Sequence, residues 1–275
     1  MLKKILKYTL RTLLVIVIVL LLVPALLYIP AVQDYVRGKA VGYASRTLGM
    51  DLSIERLRLS FPLRLSVDNT LLVDRGDTLL SCGRLRLDAA LWPLLRKEVA
   101  IRSFGLEKLA AHYRDSKAGM ELKAVVGSFS LDDCRIGLSA KTAGISRIAL
   151  SDGDIFLKLT QAAPAEKADS SAAALPWQVD IRKLTVGNLA FGMQTAPVVS
   201  GLTVRLPDGE VDECRVALGS RQVSVKSILL NRGEYAYRTA PAGTEKKEPA
   251  APDAPTLSEP WVVRIASLVL ADNNL

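Results

Sequence analysis

Histidine and cysteine are nearly absent from this chain, and aromatic side chains are scarce. One histidine, three cysteines and an aromatic content of 5% remove several function classes at the outset. Cys82, Cys134 and Cys214 are odd in number, far apart and form no Cys-x-x-Cys pair. They support neither a zinc site nor a dithiol motif, and read as small buried hydrophobes. A disulfide between two of them stays open in an oxidising compartment. His112, in Leu109-Ala110-Ala111-His112-Tyr113, reads as a residue near a strand end and not as a catalytic base. No serine sits in a G-x-S-x-G elbow, and no glycine-rich phosphate loop precedes a helix. Asp132-Asp133 and Asp152-x-Asp154 are carboxylate pairs in apparent turns, without the ligand set that calcium needs. The few aromatics leave few platforms for stacking bases. The net charge of +8 comes half from Lys3, Lys4, Lys7 and Arg11, so it does not mark a nucleic-acid surface. The expectation is a protein that is not an enzyme, with no catalytic residue, cofactor or metal and no nucleic-acid partner.

What is present begins with an uncharged, mostly apolar run over residues 12–33. About 20 helical residues cross a bilayer core, so this run is long enough to span, with Leu13, Ile16, Leu20 and Leu27 among its lipid-facing candidates. The four cations lie on one flank only, which places residues 1–11 in the cytoplasm and everything after the span on the far side. A cleaved signal peptide is the competing reading. Leu26, Leu27, Tyr28 and Ile29 follow Pro24-Ala25, however, and no small-x-small site appears. In the segment that follows, 34–50, apolar residues recur at three- and four-residue steps, including Tyr35, Val36, Tyr43 and Leu48. That spacing predicts an amphipathic helix stopped by Gly49, lying on the membrane or plugging the end of what comes next.

From Asp51 the period changes. Leu52, Ile54, Leu57 and Leu59 are apolar with polar residues between them, a pattern written φ-x-φ-x-x-φ-x-φ. It returns at Leu80, Cys82, Leu85 and Leu87; at Val99, Ile101, Phe104 and Leu106; and at Ala124, Val126, Phe129 and Leu131. Further on it recurs at Ala143, Ile145, Ile148 and Leu150; at Val179, Ile181, Leu184 and Val186; at Val223, Val225, Ile228 and Leu230; and at Val263, Ile265, Leu268 and Leu270. A longer string, Pro176-Trp177-x-Val179-x-Ile181-x-x-Leu184, is repeated from Pro260-Trp261. Repetition of strand units predicts a ladder-like β architecture. Alternation puts every second side chain on one face, and a bulge or a bend at the two-residue gap keeps the second apolar pair on that face. The outcome is a sheet with one apolar face and a polar face carrying Arg56, Arg58, Arg84, Arg86 and Arg182. Polar clusters at Ser151-Asp152-Gly153-Asp154, Gly187-Asn188, Asn231-Arg232-Gly233-Glu234 and Asp272-Asn273-Asn274 suggest tight turns, hence an antiparallel meander. Residues 161–176 and 239–260, rich in Ala, Pro and polar residues, read as flexible loops within one β-domain over 51–275. The last unit lacks a following partner strand, so the chain is expected to be the N-terminal piece of something longer.

The order of these elements resembles a known family. A cationic tail, one membrane helix and an amphipathic helix lead into Leu52-Ser53-Ile54-Glu55-Arg56-Leu57-Arg58-Leu59, followed by repeated V-x-I-x-x-L-x-L strands. This is similar to the AsmA-like superfamily, and within it to the TamB-type translocation and assembly proteins. Asp77-Thr78-Leu79-Leu80 and Trp92-Pro93-Leu94-Leu95 look like the long forms from Bacteroidota. The resemblance implies an inner-membrane anchor and a long curved periplasmic sheet with an apolar groove for phospholipid moving toward the outer membrane. An alternative implied role is a scaffold for outer-membrane protein assembly, with an outer-membrane barrel as partner. The family offers no catalytic residues, and its C-terminal domain has no counterpart in this chain. On this reading Leu57, Leu59, Leu85, Leu87, Ile101, Phe104, Ile145, Ile148, Ile181, Leu184, Val225, Ile228, Ile265 and Leu268 line the groove.

Overall fold

A computed structural model describes residues 29–60, 63–115, 119–160, 177–195, 200–239 and 261–274. The expected span over 12–33, with Leu13, Ile16, Leu20 and Leu27, lies outside the described residues except at its end. Among the described residues no helix is long and apolar enough to cross a membrane. The helix α1, Pro30–Leu48, takes in the last residues of that span and closes on Gly49, whose left-handed backbone (φ 67°) donates its N–H to the Ser45 carbonyl. It lies along β1 (Asp51–Ser60) through polar groups. The Gln33 amide donates to the Leu59 carbonyl at 2.7 Å, Arg37 donates to the carbonyls of Ile54 and Glu55, and the Leu52 N–H donates to Ser45 Oγ at 3.0 Å. Its aromatic residues point elsewhere: Tyr35 and Tyr43 are 65% and 75% exposed. The helix thereby caps the outer edge of the first strand, where unpaired carbonyls would otherwise invite another chain.

The rest is one sheet of eleven strands: β1, β2 (Arg64–Asp74), β3 (Asp77–Ala90), β4 (Glu98–Asp115), β5 (Met120–Gly137), β6 (Thr142–Leu159), β7 (Gln178–Thr195), β8 (Ser200–Ala217), β9 (Gln222–Asn231), β10 (Glu234–Thr239) and β11 (Val262–Ala271). Neighbours follow chain order from β1 to β9, β11 pairs with β9, and β10 pairs with the other half of β8. β1 and β11 do not pair, so the sheet is open. The expectation of an antiparallel meander fails at two joins. β6 pairs with β7 in parallel, and β9 pairs with β11 in parallel. The chain between each pair contains one of the low-complexity segments, and only such a long connection lets two sequential strands run the same way. Both Pro-Trp strings open these parallel strands, β7 and β11.

The strand boundaries reveal a duplication. Each boundary of β4, β5 and β6 recurs 80 positions later: Glu98 at Gln178, Met120 at Ser200, Thr142 at Gln222 and Leu159 at Thr239. Chemistry recurs with them. Asp132 and Cys134 stand where Asp212 and Cys214 stand, and Gly153 where Gly233 stands. Two three-strand modules therefore sit side by side, and β11 is added in the manner of β7.

The two-residue gaps are bends and not bulges: one residue is skipped on each strand and the register runs on unchanged, as between Ile101–Cys134 and Ser103–Asp132. Two lines of unpaired residues cross the sheet. One passes through Arg102, Asp133, Ser146, Arg182, Glu213, Lys226 and Ala266, each skipped by the pairing to its neighbours. The other passes through Glu55, Asn69, Gly83, Lys108, Gly127, Asp152, Asn188 and Pro207. A direction rule governs the backbone. Where the chain passes from the polar face to the apolar face, the unpaired residue is left-handed, as at Asn69, Lys108, Asp133, Asp152, Asn188 and Glu213. Where it passes the other way, φ stays negative, so proline is tolerated at position 207 without losing a ladder bond. Polar clusters read as turns thus lie at bends within or between collinear strands. Ser151–Asp154 lies inside β6, Gly187-Asn188 inside β7, and Arg232-Gly233 joins β9 to β10 along one edge of β8. The carboxylate pair Asp132-Asp133 likewise lies inside β5. Asn and Asp favour turns because they tolerate the left-handed region, and such a bend uses the same property.

Candidate functional site

Register alignment carries the apolar positions across the sheet in continuous rows. One row runs Ile101–Cys134–Ile145–Ile181–Cys214–Val225–Ile265. The next runs Leu59–Leu65–Leu87–Phe104–Leu131–Ile148–Leu184–Val211–Ile228–Leu268, and beside it lies Leu57–Val67–Leu85–Leu106–Phe129–Leu150–Val186. Every residue anticipated for the groove falls on these rows. Phe104 and Phe129 meet edge to face, with ring centroids 6.1 Å apart. Beyond the second line of bends a further row holds Cys82, Leu109, Val126, Leu189 and Leu206; the repeat took in Cys82 and Val126 but missed Leu109, Leu189 and Leu206. Continuing the five-residue period of Val99, Ile101, Phe104 and Leu106 to Leu109 and Ala111 finds them.

No second layer covers this face among the described residues. Val67, Cys82, Ala89, Val126, Cys134, Leu206 and Val225 are its buried apolar residues, and no side chain is wholly enclosed. Elsewhere the apolar side chains are half-buried by their row neighbours, and on β11 they are open: Ile265 is 45% and Leu268 54% exposed. The cysteines sit on this face, and burial pushes all three thiols above their ordinary pKa.

The opposite face is a lattice of cross-strand ion pairs. Arg84 bridges Asp68 at 3.1 Å and Glu107 at 3.2 Å, and Arg86 reaches Glu107 at 3.4 Å. Arg102 meets Asp88 at 3.3 Å, and Lys183 meets Glu210 at 2.5 Å. Arg215 lies 2.6 Å from Asp180, and its hydrogen bond holds that carboxyl below the usual range. Near the end of β4 and start of β5, Lys123, His112 and Arg114 all hydrogen-bond Glu121 and pull its pKa down to about 2. These charges are mutually satisfied, as expected of a solvated outer face. A hollow of about 910 Å³ follows the first line of bends, with Asp133, Arg135, Ser146, Arg182 and Lys226 among its lining residues. Cations and carboxylates alternate along it, so it carries no single sign of charge. Among the described residues no group of side chains is arranged to hold a metal ion.

No family model matches the chain, and no curated protein matches it.

Proposed function

We propose that the apolar face is a trough for lipid acyl chains. The protein is then an inner-membrane-anchored periplasmic bridge that moves phospholipid toward the outer membrane, in the manner of the TamB-type proteins it resembles. One observation carries this reading: aligned apolar rows cross the whole sheet, and among the described residues nothing lies over them. A soluble protein seldom leaves an apolar surface of that extent to water without a ligand or partner for it. The strands bend where facing residues go unpaired, and these bends are aligned from strand to strand along two lines. That alignment supports a sheet folded about axes that cross the strands, with the apolar rows inside the fold. Stacked strands advance about 4.8 Å each, so the path from β1 to β11 is roughly 45 Å long. An acyl chain in water costs about 0.8 kcal/mol per exposed CH₂, and a continuous apolar path lowers that cost throughout transfer. No energy-coupling group lies on the face, so flow follows a gradient maintained elsewhere.

An aspartate at Ile181 tests the reading. On an open face a carboxylate still reaches water at the trough mouth, so the sheet folds while lipid occupancy falls. In a packed core the same unpaired charge costs several kcal/mol and unfolds the domain. A variant that unfolds, in a wild-type protein that carries no lipid, overturns the trough.

A second reading has its own observation. The outer edge of β11 is unpaired among the described residues, and the strand is exposed, with Val263 at 58% and Leu270 at 53%. Such an edge suits the addition of a client strand, as a scaffold for outer-membrane protein assembly requires. Crosslinks from β11 to protein, with none from the apolar rows to lipid, would favour it.

A further inference from the structure

At the tip between β3 and β4 the chain makes a short 3₁₀ helix, Trp92–Arg96. Apolar residues there face solvent: Trp92 is 82%, Leu94 47% and Leu91 40% exposed. Leu138, in the neighbouring turn, is 51% exposed, and its N–H donates to the Lys97 carbonyl at 3.2 Å. Arg96 and Lys97 follow at once, with Lys97 in the left-handed conformation that ends the turn. Among the described residues the ion pairs of the polar face do not reach Arg96 or Lys97. A tryptophan this exposed, beside two leucines and two cations, has the composition of a membrane-interface segment. There the indole sits at headgroup level, and the cations meet lipid phosphates.

Its place in the fold supplies a second observation. α1 runs antiparallel to β1, because Gln33 near its start bonds Leu59 and Ser45 near its end bonds Leu52. The start of α1 is therefore at the Ser60 end of β1, and Ser60 pairs with Arg64, which pairs with Asp88 near the end of β3. So the chain leaves the apolar run at the same corner of the sheet that carries Trp92. If the run is in a bilayer, this corner is next to the bilayer surface.

We infer that the Leu91–Lys97 tip docks this corner of the sheet onto an anionic phospholipid surface. The tip and the start of α1 make a two-point attachment that fixes how the sheet stands on the membrane. The inference rests on the membrane anchor of the proposed function but not on lipid transport. It would hold equally for a scaffold.

The chain's three tryptophans make the test direct. Trp261, just before β11, lies on the same rim but seven strand positions along the sheet from β3, a distance of roughly 30 Å. The full chain is reconstituted in vesicles of phosphatidylcholine and phosphatidylglycerol containing lipid brominated on its acyl chains. Two variants each retain one tryptophan, with phenylalanine at the other two positions. The Trp92-only protein should be quenched at least twofold more than the Trp261-only protein. Arg96→Gln with Lys97→Gln, or vesicles of phosphatidylcholine alone, should remove most of that difference. Quenching by lipid held in the trough is separated by adding Ile181→Asp. Docking leaves Trp92 quenching unchanged, whereas trough-borne lipid loses it. Equal quenching of Trp92 and Trp261, or none at Trp92, overturns the inference while leaving lipid binding at the trough to its own test.

Discussion

Gly127 offers the sharpest test of the register. It lies on the second line of bends, where a Cβ would fall 2.8 Å from the Cβ of Asp152 on the neighbouring strand. Carbon atoms in contact sit about 3.5–4.0 Å apart, so Gly127→Ala forces two backbones to separate. The near atom is a Cβ fixed to the backbone and cannot swing away. Overpacking of this kind costs about 1–3 kcal/mol, which for a chain of this size lowers Tm by roughly 2–10 °C. Gly144→Ala is the control. Nothing lies within 4 Å of a Cβ there, and the substitution removes only unfolded-state freedom. It should be neutral or stabilise by up to about 1 kcal/mol. Asp152→Gly should rescue Gly127→Ala, because it removes the colliding Cβ and suits the φ of 55° at that position. Urea and thermal midpoints of the three variants read the effect. If Gly127→Ala is as stable as Gly144→Ala, the two strands are not paired in this register and the lines of bends are wrong.

Three further outcomes follow from the polar face, the thiols and the anchor. Glu121 has a depressed pKa of about 2, so its interactions stabilise the fold above the ordinary carboxylate range and are lost as pH falls toward 2. Glu121→Gln should flatten the decline of the urea midpoint between pH 5 and 2 and leave no change in that slope above pH 6. The three thiols lie on the apolar face with raised pKa values, so iodoacetamide at pH 8 should modify them far more slowly in the native protein than in urea. Equal rates would place them outside the apolar rows. Asp77→Cys, in an exposed turn at the start of β3, should react with an impermeant maleimide on intact spheroplasts. Labelling only after lysis would reverse the proposed topology.

The apolar face was legible in sequence because a two-residue gap must be met by a bulge or a bend, and the same gap recurs in most of the strands. Two things were not legible. β2 and β8 break the φ pattern at Thr70, Pro207 and Gly209, yet they pair fully. Register, not composition, places Thr70 and Gly209 on the apolar rows, and Pro207 falls where no ladder bond is needed. The parallel joins were hidden for a related reason. Asp152 and Asn188 look like hairpin residues, and only the pairing partners on both sides distinguish a left-handed mid-strand bend from a turn. The 80-residue duplication was obscured because apolar residues substitute for one another between modules. The Pro-Trp string stood out only because its residues are rare.

The central claim is that lipid occupies one face of the sheet and not the other. A photo-crosslinking residue at Ile181 or Leu184, on the apolar rows, compared in cells with one at Lys183 on the polar face, tests it most directly. The three positions share one strand, so expression and membrane proximity are matched, and adjacent side chains point to opposite faces. The account predicts phospholipid adducts at Ile181 and Leu184, several-fold above those at Lys183. Equal capture at all three positions, or protein adducts alone from the apolar rows, would contradict it.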